Sequence, residues 1–259
     1  RFPQFQLAAD DVGILDTRGG ALRPEVAVTA AHLAAETNGA QLHFNTQVTG
    51  LHPGADGVEV ETGAGTFLAA QVIVAAGSWT TRLLPHLASY IEARRIGLTW
   101  SMPRHIAHFT PEVFPVFMRD RVESDGAVTH WFGAPSLDGY SIKIGVYPEP
   151  WNTTISPEQS PADYTSEQLA YVGDTVAQCI PDLIKAPVRH SAHHDSFASN
   201  QFPIFDRHDD APQILFATGM HGNAFKFAPS YGKMLAEMAT SGASSLWRKE
   251  FRLAAHDQL

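Results

Sequence analysis

Hydrophobic positions along the chain follow two periods. From Pro24 to Thr37, Val26, Ala30, Leu33 and Ala34 fall at i, i+4, i+7 and i+8, the stripe of an amphipathic helix. Pro24 suits the first turn of that helix and Gly39 suits the position just past its end. Short strand-like runs follow: QLHF (41–44), VTGLH (48–52), GVEVET (57–62) and GTFLAA (65–70), the last two joined by a GAG hairpin signal. QVIVAAGSW (71–79) is a continuous apolar run, which reads as a buried strand closing on Ala-Ala-Gly. Small residues at the carboxyl end of a strand let a ligand approach the backbone.

From about Arg94 to Tyr147 the pattern changes. RIGLTWSM, HIAHF, FPVFM, AVTHWFGAP and GYSIKIGVY are β-rich and aromatic, with turn residues between them, and they predict an antiparallel sheet. Residues 148–163 are rich in Pro and Ser and read as a surface loop. Thr165 to Cys179 is helical in pattern and stops before Pro181. A short apolar run, Ile214 to Ala217, leads into a glycine-rich loop, and Tyr231 to Thr240 then reads as a helix ended by Gly242. The order predicts a fold of the α+β or α/β class. An α/β domain (1–90 and 188–259) receives an inserted antiparallel-sheet domain (91–187), and a ligand is expected where two such parts meet.

Composition narrows the function. A net charge of −9 over 259 residues argues against a general nucleic-acid binder. The single cysteine, Cys179, excludes an intramolecular disulfide framework and a Cys-rich metal centre, and its setting reads as a packed thiol. No apolar stretch is long enough to span a bilayer and no signal-peptide pattern opens the chain, so the expected setting is cytoplasmic, away from membranes. The start on Arg1 suggests a processed, cut or partial chain.

Two lysines stand out. Lys143 lies between Ile142 and Ile144 in a strand; if the isoleucines face a core, Lys143 points to the opposite face, toward solvent or a cleft. A cation in a cleft would stabilise an anion. Lys226 sits between two phenylalanines ahead of a helix, and reads either as a lysine snorkelling over them or as an anchor for a carboxylate or phosphate. Its loop has neither the P-loop nor the G-x-G-x-x-G spacing. RHSAHHDSF holds His190, His193, His194 and Asp195 without a His-Glu-x-x-His motif, so no metal is assigned; as a strand it would put His193 and Asp195 on one face, where they would line a substrate pocket. Trp79, Trp100 and Trp131 read as core.

Four stretches together carry a resemblance: RFPQFQL, the 21–85 region ending in VIVAAGSWTTRLLP, WFGAPSLDGYSIKIGVY, and FPIFDRHDDAPQILFATGMHGNAFKFAPSYGKMLAEMATSG. In order and spacing they resemble the FAD-dependent amine oxidases of the monomeric sarcosine oxidase and N-methyltryptophan oxidase type, within the D-amino-acid-oxidase-like superfamily. The resemblance implies a partial FAD-binding domain with an inserted substrate domain. The implied reaction oxidises the C–N bond of an amino-acid-like amine to an imine, with O₂ as acceptor and hydrogen peroxide as product. Lys143 matches the lysine near flavin N5 that helps O₂ accept electrons, and Lys226 matches the lysine near the flavin pyrimidine edge and the substrate carboxylate. Val48 would meet the adenine portion, and Ala76, Gly77 and Trp79 the phosphate and ribose. Gly219, Gly222 and Asn223 would line the flavin ring.

Departures qualify the match. The position of the family's flavin-linking cysteine is His193, which implies noncovalent FAD. Phe132, Tyr147, Asp195 and Asn223 replace family pocket residues, so the substrate is expected to differ from sarcosine, and Asp195 hints at a cationic group on it. The family's G-x-G-x-x-G segment and a substrate-binding arginine precede everything matched here. The chain therefore resembles a C-terminal portion whose partner is the N-terminal segment or another chain; without that partner it is expected to be inactive, with FAD held noncovalently or absent. The alternatives are a dehydrogenase of the same superfamily using another acceptor, and a non-catalytic fragment.

Overall fold

The computed structural model describes residues 2–123, 126–148, 151 and 153–259. The chain divides into two compact units: the first comprises Arg1–Thr29, Arg95–Thr153 and Ser160–His193, the second Ala30–Arg94, Thr154–Gln159 and His194–Leu259.

The first unit is built on an antiparallel sheet. Its strands are β5 (Ile91–Ser101), β6 (Phe117–Val122), β7 (Val128–Ala134), β8 (Ile142–Pro148) and β10 (Arg189–Ala198), in the order β10-β5-β8-β7-β6, with β9 (Thr154–Ile155) paired to β5. Residues 91–94 of β5, 194–198 of β10 and all of β9 belong to the second unit. Alternation decides the faces: Thr129 and Trp131 of β7 and Ile142, Ile144 and Val146 of β8 point into one core. Helix α3 (Ser166–Cys179) supplies Val172, Val176 and Cys179 to that core, beside Phe109, Phe114, Ile180 and Leu183. The helix starts at a capping box, in which the Thr165 side chain accepts from the Gln168 N–H (3.1 Å) and Gln168 accepts from the Thr165 N–H (3.1 Å).

The second unit holds an antiparallel meander of β1 (Val48–Gly54), β2 (Gly57–Thr62) and β3 (Gly65–Ala69). A second sheet, of order β11-β12-β4, combines β4 (Val72–Val74), β11 (Ile204–His208) and β12 (Ala211–Thr218). β12 pairs antiparallel with β11 and parallel with β4. One side of this unit is sealed by Val58, Val74, Leu87, Ile204, Ile214 and Phe216. On the other, helix α4 (Ala224–Ser241) packs Met234, Leu235 and Met238 against Phe205 and Leu215. The short helix α2 (Thr80–Leu83) follows β4.

Helix α1 (Pro24–Thr37) has the expected bounds but buries no residue: Val26 is 63 % and Leu33 59 % exposed, so the apolar stripe faces no core in this chain. QLHF is not a strand; residues 41–43 are irregular and Asn45 turns the chain at φ 53°. HIAHF is a 3-10 turn over Ile106–Phe109 rather than a strand, because its backbone bonds elsewhere: the His105 N–H donates to the Asp182 carboxylate (3.0 Å) and the His108 N–H to the His105 carbonyl (3.0 Å). α4 begins seven residues before the expected Tyr231, running through Pro229. Gly242 ends it in the left-handed region, φ 81°. Of the three tryptophans read as core, only Trp131 is fully buried, and Trp79 is 48 % exposed. The expected loop over 148–163 includes residues 149, 150 and 152, which lie outside the described residues.

Candidate functional site

In the second unit, β4 and β12 run parallel with Val74 beside Phe216, so their carboxyl ends finish side by side. Both end on a glycine of positive φ: Gly77 at 56° and Gly219 at 67°. The Thr218 hydroxyl donates to the Gly77 carbonyl (3.2 Å) and ties the two turns together. No heavy atom lies within 4 Å of where a Cβ would stand on Gly77, so the surface of that turn is open backbone. Gly219 is the opposite case, since a Cβ there would lie 2.9 Å from Cβ of Ala198. Trp79 stacks edge-on with His194, ring centroids 4.6 Å apart.

The loop after Gly219 is held from β10. The Ser196 hydroxyl accepts the Gly219 N–H (3.0 Å), the Ser196 carbonyl accepts the His221 N–H (3.1 Å), and the Asp195 carboxylate accepts the Gly222 N–H. Asp195 is thus a clamp on the loop backbone, a role not foreseen when it was read as a pocket residue. His221 lies at φ 50°, a conformation uncommon outside glycine, and its Nε2 accepts the Ala198 N–H (2.8 Å). That bond requires a neutral ring with its proton on Nδ1. Burial, with Arg94 and His256 adding to it and Asp195 opposing, pushes the His221 pKa below its usual value.

Helix α4 follows at once. Asn223, its N-terminal flanking residue, makes no side-chain cap; its amide donates instead to the His221 carbonyl (3.2 Å). Lys226 is the third residue of the helix and exposed. The expected strand, glycine loop and helix are therefore present, but Lys226 stands on the first helical turn rather than in the loop. A cation there opposes the helix dipole, while uncapped N–H groups suit an anion. Ala76, Gly77, Trp79, Gly219, Gly222, Asn223 and Lys226 thus sit on two adjoining turns and one helix start. Val48 opens β1 in the other sheet of the unit.

The first unit carries the other group. Lys143 is on the face of β8 away from Ile142 and Ile144, as period two requires, and is half-buried. Its Nζ lies 5.7 Å from the centroid of the Phe132 ring, which is 5.7 Å from that of Tyr147 in a stacked pair. Gly145, between Lys143 and Tyr147 on the strand, makes room: a Cβ would come within 2.9 Å of both rings. Trp100 of β5 is opposite Lys143 across the strand pair. Lys143, Phe132 and Tyr147 therefore form one aromatic platform with a single amine on it. Burial lowers the Lys143 pKa, with the Glu25 carboxylate opposing. Burial also raises the Tyr147 phenol far above its ordinary value, keeping it neutral. His193 is exposed on β10 with Nε2 2.9 Å from the Ser191 hydroxyl, apart from this platform's contacts.

The FAD dependent oxidoreductase family, DAO, matches residues 1–238. The chain belongs to that family. It is 30 % identical over 248 residues to monomeric sarcosine oxidase of Streptomyces avermitilis, covering 95 % of this chain and 63 % of that protein. It is 27 % identical over 259 residues to N-methyl-L-tryptophan oxidase of Salmonella dublin, covering 100 % of this chain and 67 % of that protein. The chain thus spans about two thirds of the length of the curated relatives it matches. Among solved structures, an amino acid oxidase essential for nikkomycin biosynthesis superposes with a TM-score of 0.71 at 20 % identity, over 87 % of this chain and 58 % of that one. Glycine oxidase from Geobacillus kaustophilus gives 0.69 at 18 %, over 88 % and 56 %. These two likenesses speak for the mixed α/β fold with antiparallel sheets. Among the described residues no helix is long and apolar enough to cross a membrane.

His221 escaped the reading of the sequence. A histidine before a glycine gives no sign that it will occupy a left-handed backbone position, because the bond that holds it there comes from Ala198, 23 residues away.

Proposed function

We propose that this chain is the ring-side and substrate-side part of an FAD-dependent oxidoreductase that oxidises the C–N bond of an amino-acid-like amine. The observation that carries the proposal is the pair of positive-φ glycine turns, Gly77 and Gly219, at the ends of two parallel strands, followed by the uncapped start of α4 with Lys226 on it. Open backbone at Gly77 and Gly222 gives a flat cofactor room to approach, which fits a flavin. FAD, bound noncovalently, would supply a two-electron acceptor. The amine loses two electrons and two protons to become an imine, which water hydrolyses, and O₂ takes up the electrons and protons as hydrogen peroxide.

Within this reading the α4 N–H groups and Lys226 hold an anionic group, either the substrate carboxylate or the carbonyl edge of the flavin. Lys143 presents its charge from an apolar platform, where little water screens it, toward the oxygen being reduced. Asp195 and His221 hold the loop in shape. β4 is an edge strand, and the apolar side of α1 is uncovered. An upstream segment, or a second chain with the same role, would add strands at β4, cover α1 and bring the phosphate grip.

The test uses the protein with its upstream region. An oxygen electrode follows amine oxidation, and stopped flow separates the two half-reactions. Lys143→Met should slow flavin reoxidation by about 10²–10³-fold and leave reduction by amine nearly intact. Equal slowing of both steps would overturn the role given to Lys143. Wild-type reoxidation that is slow with O₂ and fast with an artificial acceptor would make the protein a dehydrogenase.

A further inference from the structure

Far from the lysine platform in sequence, the described residues hold one cluster of three side chains with metal-ligand chemistry: His105, His108 and Asp182, each with a ligand atom within 4.8 Å of the others. His105 flanks the Ile106–Phe109 turn and His108 lies inside it. Three residues make one turn of a 3-10 helix, so the two side chains emerge on the same side. Their ring centroids are 5.5 Å apart at 32°. Asp182 comes from the turn after α3. Its Oδ2 accepts the His105 N–H (3.0 Å) and its Oδ1 lies 2.7 Å from His105 Nδ1. The two segments are also joined by the Arg104 N–H to the Asp182 carbonyl (2.9 Å) and by the Arg104 guanidinium to the Pro181 carbonyl (2.9 Å). The backbone is thus clamped on both sides of the cluster while the imidazoles remain exposed.

We propose that His105, His108 and Asp182 form a three-ligand surface site for Zn²⁺ in the first unit. Two imidazoles and one carboxylate are a zinc donor set, and the exposed side leaves the fourth position to water. Hard cations such as Mg²⁺ take oxygen ligands and are excluded by the same two imidazoles. Zinc bonds of about 2.0–2.1 Å put tetrahedral ligand atoms about 3.3 Å apart. Ligand atoms that lie within 4.8 Å of one another would have to close to that spacing on binding. Because His105 and Asp182 are 77 residues apart in the chain, the ion would cross-link two segments and stabilise the folded unit.

The 259-residue chain, stripped with a chelator, is titrated with Zn²⁺ or Mg²⁺ by calorimetry, and its thermal unfolding is followed with and without each ion. His108→Ala is the informative variant, since that side chain is exposed and hydrogen-bonded to nothing among the described residues. Circular dichroism confirms that the variant folds. Wild type should bind one more Zn²⁺ than His108→Ala, or bind it at least about tenfold more tightly. Only wild type should show a zinc-dependent rise in Tm, and Mg²⁺ should do neither. Asp182→Asn should behave like His108→Ala. Equal zinc stoichiometry and affinity in wild type and His108→Ala, or no zinc binding by wild type, would overturn the site.

Discussion

Replacing Gly219 by alanine tests the cradle at its tightest point. Two separate costs are expected. The backbone stands at φ 67°, where a Cβ costs about 1–2 kcal/mol. That Cβ would also lie 2.9 Å from Cβ of Ala198, a rigid atom on a paired strand, and overpacking of this kind costs about 1–3 kcal/mol. The sum is about 2–5 kcal/mol, large beside the ordinary effect of one substitution. Urea unfolding followed by circular dichroism measures the loss, and fluorescence of Trp79, stacked on His194 beside the same turns, reports it locally. Ala198→Gly in the Gly219→Ala background removes the clash but leaves the φ cost. A double-mutant cycle should therefore return only the overpacking share. A loss under about 1 kcal/mol would refute the reasoning, since it lies below either cost taken alone. Full rescue by Ala198→Gly would refute the backbone part.

The remaining expectations concern charge. With burial lowering the Lys143 pKa from 10.5, flavin reoxidation in the full-length protein should show an alkaline limb below pH 10.5, absent from Lys143→Met; an unchanged limb in the variant would assign it elsewhere. His221 has a folded pKa below the ordinary 6.5, so the folded state binds fewer protons than the unfolded one between those values. Its contribution to stability is complete above pH 6.5 and is lost as pH falls to the folded pKa. His221→Asn, a residue that tolerates positive φ, should flatten the fall in urea midpoint between pH 7 and 5, and an identical slope would exclude His221 as the cause. Lys226→Met should stabilise the free helix by about 0.3–1 kcal/mol and yet raise KM for a carboxylate-bearing amine; loss of stability together with unchanged KM would count against an anion site.

Much of the fold is written in local pattern, and the exceptions have physical causes. α1, α3 and the β1–β3 meander were legible because Pro24, the stop of the 165–179 pattern before Pro181 and the GAG turn are local signals of where elements start and stop. The 71–79 run looked like one buried strand, but only Val72–Val74 pairs, since Gly77 takes a positive φ and bends the chain into a 3-10 turn. The start of α4 was hidden by Pro229, which reads as a breaker although the helix runs through it. What pattern cannot show is pairing across distance. Asp195 with Gly222, His221 with Ala198, and His105 with Asp182 are each joined by the fold, and no spacing in the sequence announces them.

The placement of Lys226 decides how the opening of α4 is understood. A helix built only for stability would put a carboxylate in its first turn and a side-chain acceptor at its cap. Here the cap residue turns its amide to His221, the first turn holds no acidic residue, and the only charge within it is a cation. The Asp195 carboxylate is engaged by the Gly222 N–H just before the helix. Local stability therefore does not account for the arrangement; the proposed function would, through an anionic ligand that meets the free N–H groups and the lysine together. The same reasoning separates Lys226 from Lys143. Lys226 is exposed, where on the proposed function an anion would displace water from it, while Lys143 stands half-buried beside an aromatic ring, where on the same proposal its charge would act at short range on a small, weakly solvated acceptor.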